Sequence, residues 1–483
     1  MQTQLLIDNE SRPSSDNQNF IWTDPVSGAP VTTSAAGTVE DALDAVDSAE
    51  RALASWSKVG PSQRRDILLK AADLLEARAD EFTEVMVSEV AANEGWARFN
   101  VFLTTQCLRQ AAALTSRING ETLPTDRPGV FSMTVRQPVG VVLSMAPWNA
   151  PGVLGMRSLA YPLACGNTVV FRASEASPRT HQILVEVLHD AGLPAGVLNF
   201  LTHDPADADA VVEAMIAHPA VRRVNFTGST HVGRIIAEKC GRHLKKPLLE
   251  LGGKAPFVVL DDADINGAVN AAIFGSFMFQ GQICMSTERF VVDETVADEF
   301  VSKFAERASK LKHGVPALDP SVVVGPMFKE ASGTRINELI SDAVAKGATI
   351  VAGGRADGAM LPPTILDHVT PGMAIYDQET FGPVTTIVRV SGADEAVATA
   401  NDTEYGLAAA VHGGDVKRAM DVALQIEAGH VHVNGATVQN DANAAFGGMK
   451  SSGYGKFDGE AVIDEFTELK WMTIESPDQQ YPI

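Results

Sequence analysis

Apolar positions change their spacing along the chain, and each spacing predicts a different element. Helical periodicity over Val39–Ser57 and Ser62–Glu89 predicts surface helices with one apolar face. From Gln137 onward, short apolar runs such as GVVLSMA, TVVFRAS and VLNFLT alternate with amphipathic stretches, one of them a predicted helix over Pro178–Ala191. This alternation of strands and helices predicts a parallel sheet with helices on both faces.

The second half of the chain repeats the alternation. Apolar runs PFVVLD, ATIVAGG, VTTIVRV, LAAAVHGG and HVHVNG are separated by predicted helices over Ile265–Phe277, Val296–Leu311, Ala331–Lys346 and Val416–Ile426. The predicted fold class is therefore α/β, with two parallel-sheet domains in tandem. A strand-like segment, Glu465–Glu475, lies beyond the final unit. It is expected to pair either with a sheet in another subunit or with an edge of its own chain.

Composition supports a globular chain with a sizeable core. Of 483 residues, 45% are hydrophobic and 20% are charged, which excludes a disordered or collagen-like chain. The net charge is −22 and no basic run is present, so neither nucleic acid nor an anionic membrane is an expected partner. The opening segment lacks the basic and apolar regions of a secretory signal, and the expected compartment is the cytoplasm.

The uncharged segment from Gln137 to Met156 is about long enough to cross a bilayer, but Pro138, Pro147 and Pro151 interrupt it. It is therefore predicted to be a buried strand that runs into a loop.

The cysteines predict neither a disulfide framework nor structural zinc. They are widely spaced, without a CxxC pattern, at Cys107, Cys165, Cys240 and Cys284. His430 and His432 alternate along one strand but have no third ligand nearby, so no metal is predicted. Cys284 differs from an ordinary buried cysteine because Gly281, Gln282 and Ser286 place it in a loop, where reactive residues are more often found.

A phosphate-binding signal is present, although the usual GxGxxG fingerprint is not. In FTGSTHVG, a predicted strand ends near Thr227 and a helix begins near Ser229, so backbone N–H groups there could receive a pyrophosphate. A plain strand-to-helix turn capped by Ser229 or Thr230 is the simpler alternative. Arg234 and Ile235 replace the Lys and Ser/Thr of a Walker A loop, which excludes that motif.

Three further polar residues follow apolar strands. Glu250 ends a strand before Gly252 and Gly253, Asn149 follows another strand within APWNAP, and Glu379 precedes Phe-Gly-Pro. Taken alone, each is equally well explained as an edge charge or a turn residue. Their chemistry becomes informative only when the motifs are considered together.

The motifs APWN, FTGST, ELGGK, GQIC, ETFGP and FGGMKSSGYG, in this order, resemble the aldehyde dehydrogenase superfamily over essentially the whole chain. The resemblance implies that Cys284 is the nucleophile, Glu250 the general base and Asn149 a side-chain donor to an oxyanion. It also implies two Rossmann-like parallel-sheet domains: residues 1–117 with 138–248 for the cofactor, and 249–452 for catalysis. Residues 118–137 with 465–483 are expected to form a bridging and oligomerisation arm, giving a homodimer or homotetramer.

The same resemblance implies a nicotinamide cofactor. Its site is expected to include Pro147, Trp148, Arg172, Ser174, Glu175, Gly228, Ser229, Val232, Leu251, Gly252, Glu379 and Phe381. Among these, Glu379 is similar to the family's residue that holds the nicotinamide-side ribose. Glu175 should accept the adenosine ribose hydroxyls and repel a 2′-phosphate, which favours NAD. Arg172 stands where the family usually has Lys, and its fork suits a phosphate, so NADP use stays open.

Within the superfamily, NEGWARFNVF, WNAPGVLGMRSLAYPLACGNT and SFMFQGQICMSTER are most similar to the dehydrogenases of benzaldehyde, salicylaldehyde and vanillin. The expected pocket for a flat ring comprises Trp96, Phe99, Arg157, Tyr161, Phe279, Ile283, Met285 and Phe446. Arg157 either orients a ring hydroxyl or forms an internal ion pair. The alternatives are an aliphatic or semialdehyde dehydrogenase, and a structural relative without catalytic activity.

Overall fold

The computed structural model describes residues 1–481, and its larger sheet has eight strands. Antiparallel strands border this sheet, Gly453–Tyr454 on one side and Leu5–Ile7 with Glu10–Arg12 on the other. Between them are parallel strands, in the spatial order Lys246–Glu250, Val221–Thr227, Val141–Met145, Thr168–Arg172 and Leu198–Leu201.

The chain changes direction across this sheet at Val141–Met145. It first proceeds to one side through Thr168–Arg172 and Leu198–Leu201, and then returns to place Val221–Thr227 on the other side. Loops that leave two neighbouring strands in opposite directions open a crevice at the carboxyl ends of those strands, where ligands bind in such folds. A ligand-binding site is therefore expected at the carboxyl ends of Val141–Met145 and Val221–Thr227.

The second large sheet has seven strands and is parallel except at one edge, where Thr349–Ala352 runs antiparallel. Its spatial order is Thr349–Ala352, Thr364–Asp367, Val384–Val390, Thr287–Asp293, Ala255–Val259, Ala408–His412 and His430–Val433. The prediction of two parallel α/β sheets in tandem is thus confirmed. Small sheets comprise Gln2–Thr3, Asn19–Thr23 and Pro30–Ala35, and Tyr405–Gly406 with Met449–Lys450.

The amphipathic helices match the sequence pattern to within a few residues. The predicted helix Ser62–Glu89 is wrong in one respect, because Arg78 leaves the helical conformation and divides it in two. The α-helices are Val39–Trp56, Pro61–Ala77, Ala79–Val90, Glu94–Leu114, Pro151–Ala164, Pro178–Asp190, Ala208–Ala217, Thr230–Arg242, Ile265–Phe277, Glu294–Ala308, Glu330–Ala345, Ala374–Asp377, Gly392–Asn401, Val416–Ala423 and Val462–Phe466.

Two of the longer helices, Glu94–Leu114 and Pro151–Ala164, were not predicted. In Pro151–Ala164 every residue is buried, so the segment has no polar face and lacks the periodicity that reveals a surface helix. Pro151 occupies its first turn, where proline is well tolerated. The prediction that this region continues as a loop is therefore wrong beyond residue 150. Glu94–Leu114 is also extensively buried, and it packs against Pro151–Ala164.

The terminal strand Thr467–Ile474 pairs within its own chain. It runs antiparallel to Phe131–Pro138 over its full length, and Thr122–Leu123 completes a three-stranded sheet. The predicted strand from 465 begins two residues later, because Val462–Phe466 is helical. Positions 482 and 483 of the predicted arm lie outside the described residues.

Across residues 1–481, no helix combines the length and apolar character that crossing a bilayer requires.

A buried carboxylate joins three elements of the first domain. Glu89, near the end of Ala79–Val90, accepts hydrogen bonds from the Thr32 hydroxyl at 2.8 Å and from the backbone N–H groups of Arg179 and Thr180, each at 2.9 Å. The Thr180 hydroxyl adds a fourth bond at 2.7 Å. Because both N–H groups belong to the first turn of Pro178–Asp190, Glu89 acts as a remote cap for that helix.

We expect Glu89→Gln to lower the free energy of unfolding by about 2 kcal/mol, because an amide places N–H donors against the donors that now face an acceptor. Chemical denaturation of the purified protein measures this loss. Glu84→Gln, an exposed change on the same helix, is the matched control and should have almost no effect. Equal unfolding midpoints for the two variants would contradict the capping role.

Candidate active site

The crevice at the ends of Val141–Met145 and Val221–Thr227 is a cleft of about 570 Å³. It is lined by segments from both large sheets, and these carry most of the predicted cofactor residues. The predicted residues in its wall are Pro147, Trp148, Gly228, Ser229, Leu251, Gly252, Glu379 and Phe381, and Asn149 and Cys284 lie there as well. The sequence motifs are therefore brought together in one place.

The wall at FTGST suits a phosphate group. Ser229 caps helix Thr230–Arg242, its hydroxyl accepting the Val232 N–H at 3.3 Å. Gly228 packs closely against the Phe226 ring, since a Cβ atom at Gly228 would lie 2.4 Å from that ring. The structure therefore shows the capped turn, and phosphate binding at this helix start stays a prediction. Val232 is partly exposed and is not in the wall of the cleft.

The loop that carries Cys284 is held in an unusual conformation. Phe279, Gln280 and Gly281 all have positive φ, at 46°, 55° and 68°. A Cβ atom at Gly281 would lie 2.3 Å from the Gly382 carbonyl oxygen, so only glycine fits. The Gln282 side-chain oxygen accepts the Phe328 N–H at 2.8 Å and secures the loop from the other side. Cys284 is half-buried, whereas the other three cysteines are buried.

Asn149 lies directly against this loop. Its side-chain Nδ2 donates to the Gln282 carbonyl oxygen at 2.9 Å, and its own carbonyl oxygen accepts the Trp96 indole N–H at 3.0 Å. One Nδ2 hydrogen is thereby used to fix the side chain, which leaves the second for a ligand. Asn149 and Cys284 also line a second, apolar pocket, so both residues lie where the two cavities meet.

Glu250 ends its strand in a fully buried position. Neither carboxylate oxygen has a hydrogen-bond partner among the described residues, and a Cβ atom at Gly447 would lie 2.8 Å from Oε1. Burial raises the pKa of Glu250 well above its usual value, while Arg157 and Lys456 oppose the rise. Burial, together with the charges of Glu250 and Glu379, raises the pKa of Cys284 to about 12. The thiol is thus protonated at neutral pH and needs a base to react.

Glu379 lies in the wall of the cofactor cleft. Its Oε1 accepts the Gly253 N–H at 2.9 Å, and a Cβ atom at Gly252 would lie 2.6 Å from Oε2. Burial, followed by the charge of Glu288, raises the pKa of Glu379 to about 7. Phe381 meets the Trp148 ring edge-on, with 6.0 Å between the ring centroids.

Arg172 ends strand Thr168–Arg172, and Ser174 and Glu175 lie on the loop that follows; all three are outside the wall of the main cleft. Arg172 donates through Nε to His203 Nε2 at 2.6 Å and pairs with Glu175 at 3.3 Å. Burial alone would raise the pKa of Glu175, but Arg172 and the local backbone lower it overall. His203, which the sequence analysis missed, is held neutral because burial lowers its pKa to about 4.

The second pocket is lined by aromatic and aliphatic side chains. Six of the eight predicted residues form its wall: Trp96, Phe99, Arg157, Ile283, Met285 and Phe446. The placement of Phe279 in the wall is wrong, because it is buried behind Trp96 and stacks on that ring at 5.4 Å. Tyr161 is also misplaced, because its hydroxyl turns away to bind Asp458 at 2.6 Å.

Arg157 forms the internal ion pair that the sequence left open, with 2.7 Å between Nη2 and Asp458 Oδ2. Its guanidinium also lies 4.2 Å from the centre of the Phe446 ring, and Nη2 donates to Asn440. Nε and Nη1 have no partner within residues 1–481. The wall residues that the sequence analysis missed are Leu103, Ala150, Val153, Leu154, Val438, Gln439 and Asn440.

No group of three or more His, Cys, Asp or Glu side chains that could hold a metal occurs in residues 1–481.

Comparison with known proteins gives one consistent result. A family model described as the aldehyde dehydrogenase family matches residues 12–472. Vanillin dehydrogenase of Pseudomonas fluorescens is 52% identical over 99% of both chains, and an NAD(+) benzaldehyde dehydrogenase of Pseudomonas putida is 39% identical over 95% of this chain and 94% of its own. A crystal structure of salicylaldehyde dehydrogenase from Pseudomonas putida G7, complexed with salicylaldehyde, is 55% identical and covers 100% of both chains with a TM-score of 0.99.

Proposed function

The chain belongs to the aldehyde dehydrogenase family, and from that premise we propose that it oxidises aromatic aldehydes to carboxylic acids with NAD(P). The observation that carries the proposal is the position of Cys284 and Asn149, where a dinucleotide-sized cleft meets a pocket walled by Trp96, Phe99 and Phe446. A flat ring in that pocket would present its aldehyde to the thiol. The salicylaldehyde, vanillin and benzaldehyde dehydrogenases to which the chain is similar support this substrate class.

The first chemical step needs a nucleophile and an oxyanion donor. Cys284 loses its proton to a base, its sulfur bonds to the aldehyde carbon, and the carbonyl oxygen becomes an oxyanion. The free Nδ2 hydrogen of Asn149 and the backbone N–H of Cys284 are the proposed donors to that oxygen. Glu250 is the proposed base, because burial raises its pKa and so makes its carboxylate a stronger proton acceptor than an exposed one.

The second step restores the cysteine. When bound, NAD(P) would supply the hydride acceptor, and loss of a hydride from the tetrahedral carbon leaves a thioester on Cys284. Glu250 first releases the Cys284 proton to solvent and then takes a proton from water. The water oxygen bonds to the thioester carbon, and the Cys284 thiolate leaves as the acid forms. The residues proposed to hold the dinucleotide fit it, because Gly252 leaves room, Ser229 starts a helix and Glu379 Oε2 faces the cleft.

Two sheet edges support a homo-oligomer, one in the three-stranded sheet and one in the seven-stranded sheet. Thr467–Ile474 pairs on one side only, and its Leu469, Trp471 and Ile474 side chains are 57%, 67% and 58% exposed. An exposed apolar edge strand of this length invites pairing with another chain. His430–Val433 is likewise an edge strand, of the seven-stranded sheet, and its side chains are half-buried. We propose that a second copy covers these edges, and that the dimer or tetramer acts in the cytoplasm, where the four free thiols would persist.

We expect benzaldehyde, vanillin or salicylaldehyde to exceed succinic semialdehyde in kcat/KM by at least ~10-fold, because the pocket offers aromatic contact rather than a free basic anchor for a carboxylate. Formation of reduced nicotinamide, measured with each aldehyde under the same conditions, tests this. Cys284→Ala should abolish turnover of every aldehyde. Preference for the semialdehyde would favour the aliphatic alternative, and turnover that survives Cys284→Ala would exclude the thioester route.

We expect Glu250→Gln to lower steady-state turnover by ~100-fold or more, because the amide cannot accept a proton from water. Rapid mixing should show a slowed burst of at most one equivalent of reduced cofactor per site, because the amide cannot take the Cys284 proton either, followed by near arrest as the thioester accumulates. In the wild type, kcat should rise with pH over a range above that of an ordinary carboxyl group, since burial raises the pKa of Glu250. The exposed change Glu238→Gln is the control, and continued turnover in Glu250→Gln would contradict the assignment.

We expect Glu175→Gln to raise the ratio of NADP to NAD use by ~10-fold, because it removes a negative charge and frees the Arg172 fork for a 2′-phosphate. The measurement is kcat/KM for both cofactors with one aldehyde. The double change Glu175→Gln with Arg172→Met should lose the gain. A ratio unchanged by Glu175→Gln would show that this carboxylate does not select the cofactor.

We expect Trp471→Glu to dissociate the oligomer, because a charge would replace an apolar side chain on the proposed interface edge. Light scattering after size exclusion measures the mass of the particle. Leu318→Glu, at a position 84% exposed and outside both proposed edge strands, should leave the mass unchanged. A wild-type protein that stays monomeric at high concentration would contradict the proposal.

A further inference from the structure

We infer that Glu288, paired with Lys254, is a positioning residue that holds Glu379 in the cofactor cleft. Neither Glu288 nor Lys254 lines that cleft or the aromatic pocket. The inference rests on the proposed function in one respect only, which is that Glu379 contacts the nicotinamide-side ribose. Neither Glu288 nor its ion pair with Lys254 was given a role on the basis of the sequence motifs.

The Glu288 carboxylate accepts hydrogen bonds from the backbone of the turn just after Glu379. Its Oε2 accepts the Thr380 N–H at 2.8 Å, and its Oε1 accepts the Phe381 N–H at 3.0 Å. Phe381 has a φ of +49°, a left-handed conformation that is costly for a large side chain. Two charge-assisted hydrogen bonds at this turn therefore stabilise a backbone conformation that the sequence alone would not favour.

Lys254 holds the residue just before Glu379. Its Nζ donates to Glu288 Oε2 at 2.7 Å and to the Gln378 carbonyl oxygen at 2.8 Å, and the side chain is 0% exposed. The ion pair therefore contacts the backbone on both sides of Glu379. Because a buried charge that loses its partner is strongly unfavourable, the two residues hold each other in place.

The same pair ties the cofactor residue to the nucleophile. Glu288 lies on strand Thr287–Asp293, which follows the Cys284 loop, and Lys254 follows Gly253. The Gly253 N–H binds Glu379, while a Cβ atom at Gly253 would lie 2.3 Å from the Cys284 carbonyl oxygen. The separation between Cys284 and Glu379 is thus fixed through one small group of buried contacts.

The two charges should act on Glu379 in opposite directions. After burial, the negative charge of Glu288 is the main cause that raises the pKa of Glu379, whereas Lys254 and Arg335 lower it. Loss of the Glu288 charge should therefore lower that pKa, and loss of the Lys254 charge should raise it. The titratable and charged groups around Glu379 are Glu288, Lys254, Arg335, Cys284 and Tyr405.

The test is the affinity for NAD, measured by calorimetry from pH 5 to pH 9 on the purified full chain. An ionised carboxylate accepts hydrogen bonds from two ribose hydroxyls, so wild-type affinity should rise with a midpoint near the Glu379 pKa of about 7. In Glu288→Gln the midpoint should move to lower pH, and in Lys254→Met to higher pH. Both variants should bind NAD ~10-fold more weakly at their high-pH limit, because the turn is no longer held.

Turnover supplies a second measurement. We expect both variants to raise KM for NAD by ~10-fold and to change KM for the aldehyde much less, because the aromatic pocket is untouched. Glu288→Asp keeps the charge, so its midpoint should stay near that of the wild type while part of the affinity returns. Glu338→Gln and Lys310→Met, both exposed, are matched controls. If Glu288→Gln does not fold, Glu288→Asp and the neutral double change Glu288→Gln with Lys254→Met carry the test.

The outcomes separate the inference from the proposed function. Wild-type affinity and midpoint in both single variants would overturn the positioning role. A shift of the pH midpoint in the same direction in both variants would also overturn the positioning role. Opposite shifts follow the sign of the lost charge, which general structural damage would not do. A wild-type protein that neither binds NAD nor oxidises any aldehyde would instead exclude the proposed function, whatever the variants do.

Discussion

The left-handed run Phe279–Gly281 is the constraint on which the active site depends. It turns the chain out of helix Ile265–Phe277 so sharply that Cys284 emerges between the two sheets rather than inside either. Three successive residues in that conformation are costly, and the surrounding contacts must maintain them. Gln280 donates to the Pro326 carbonyl oxygen and Gln282 accepts the Phe328 N–H. The Phe328 ring in turn stacks on Trp148 in the cofactor cleft, with 4.0 Å between the ring centroids.

Burial sets the electrostatics of the site more than any single charge does. It raises the pKa values of Cys284, Glu250 and Glu379 together, so the resting site tends to keep its protons. The cations that act on Glu250 are held by other groups, Arg157 by Asp458 and Lys456 by the Gly447 carbonyl oxygen. When the Glu250 carboxylate takes the Cys284 proton, one buried negative charge moves from the carboxylate to the sulfur and no second charge is created, which suits the proposed general-base role of Glu250.

The sequence predicts the elements best where the environment has a simple geometry. Helices with one solvent-exposed face and strands buried on both sides are predicted well by the spacing of their apolar residues. The helix Ile265–Phe277 matches its prediction at both ends. Pro151–Ala164 was missed because burial on every side removes the polar face. Tyr161 and Phe279 could be recognised as aromatic residues near the site, but their side chains face away from the pocket because partners distant in sequence, Asp458 and Trp96, hold them. Glu288 gave no signal, since a charged residue within an apolar strand usually suggests an exposed edge.

The two cavities also differ in how they are built, and this bears on specificity. The wall of the cofactor cleft includes two glycines, Gly228 and Gly252, where an added side chain would collide with its neighbours. The aromatic pocket is formed by side chains on two helices and on the segment that contains Val438 and Asn440. Substitution of such side chains changes the shape of the pocket while leaving the backbone in place. Selectivity among ring substituents is therefore expected to vary through residues such as Phe99 and Asn440, while the contacts that hold Cys284 beside the cofactor are retained.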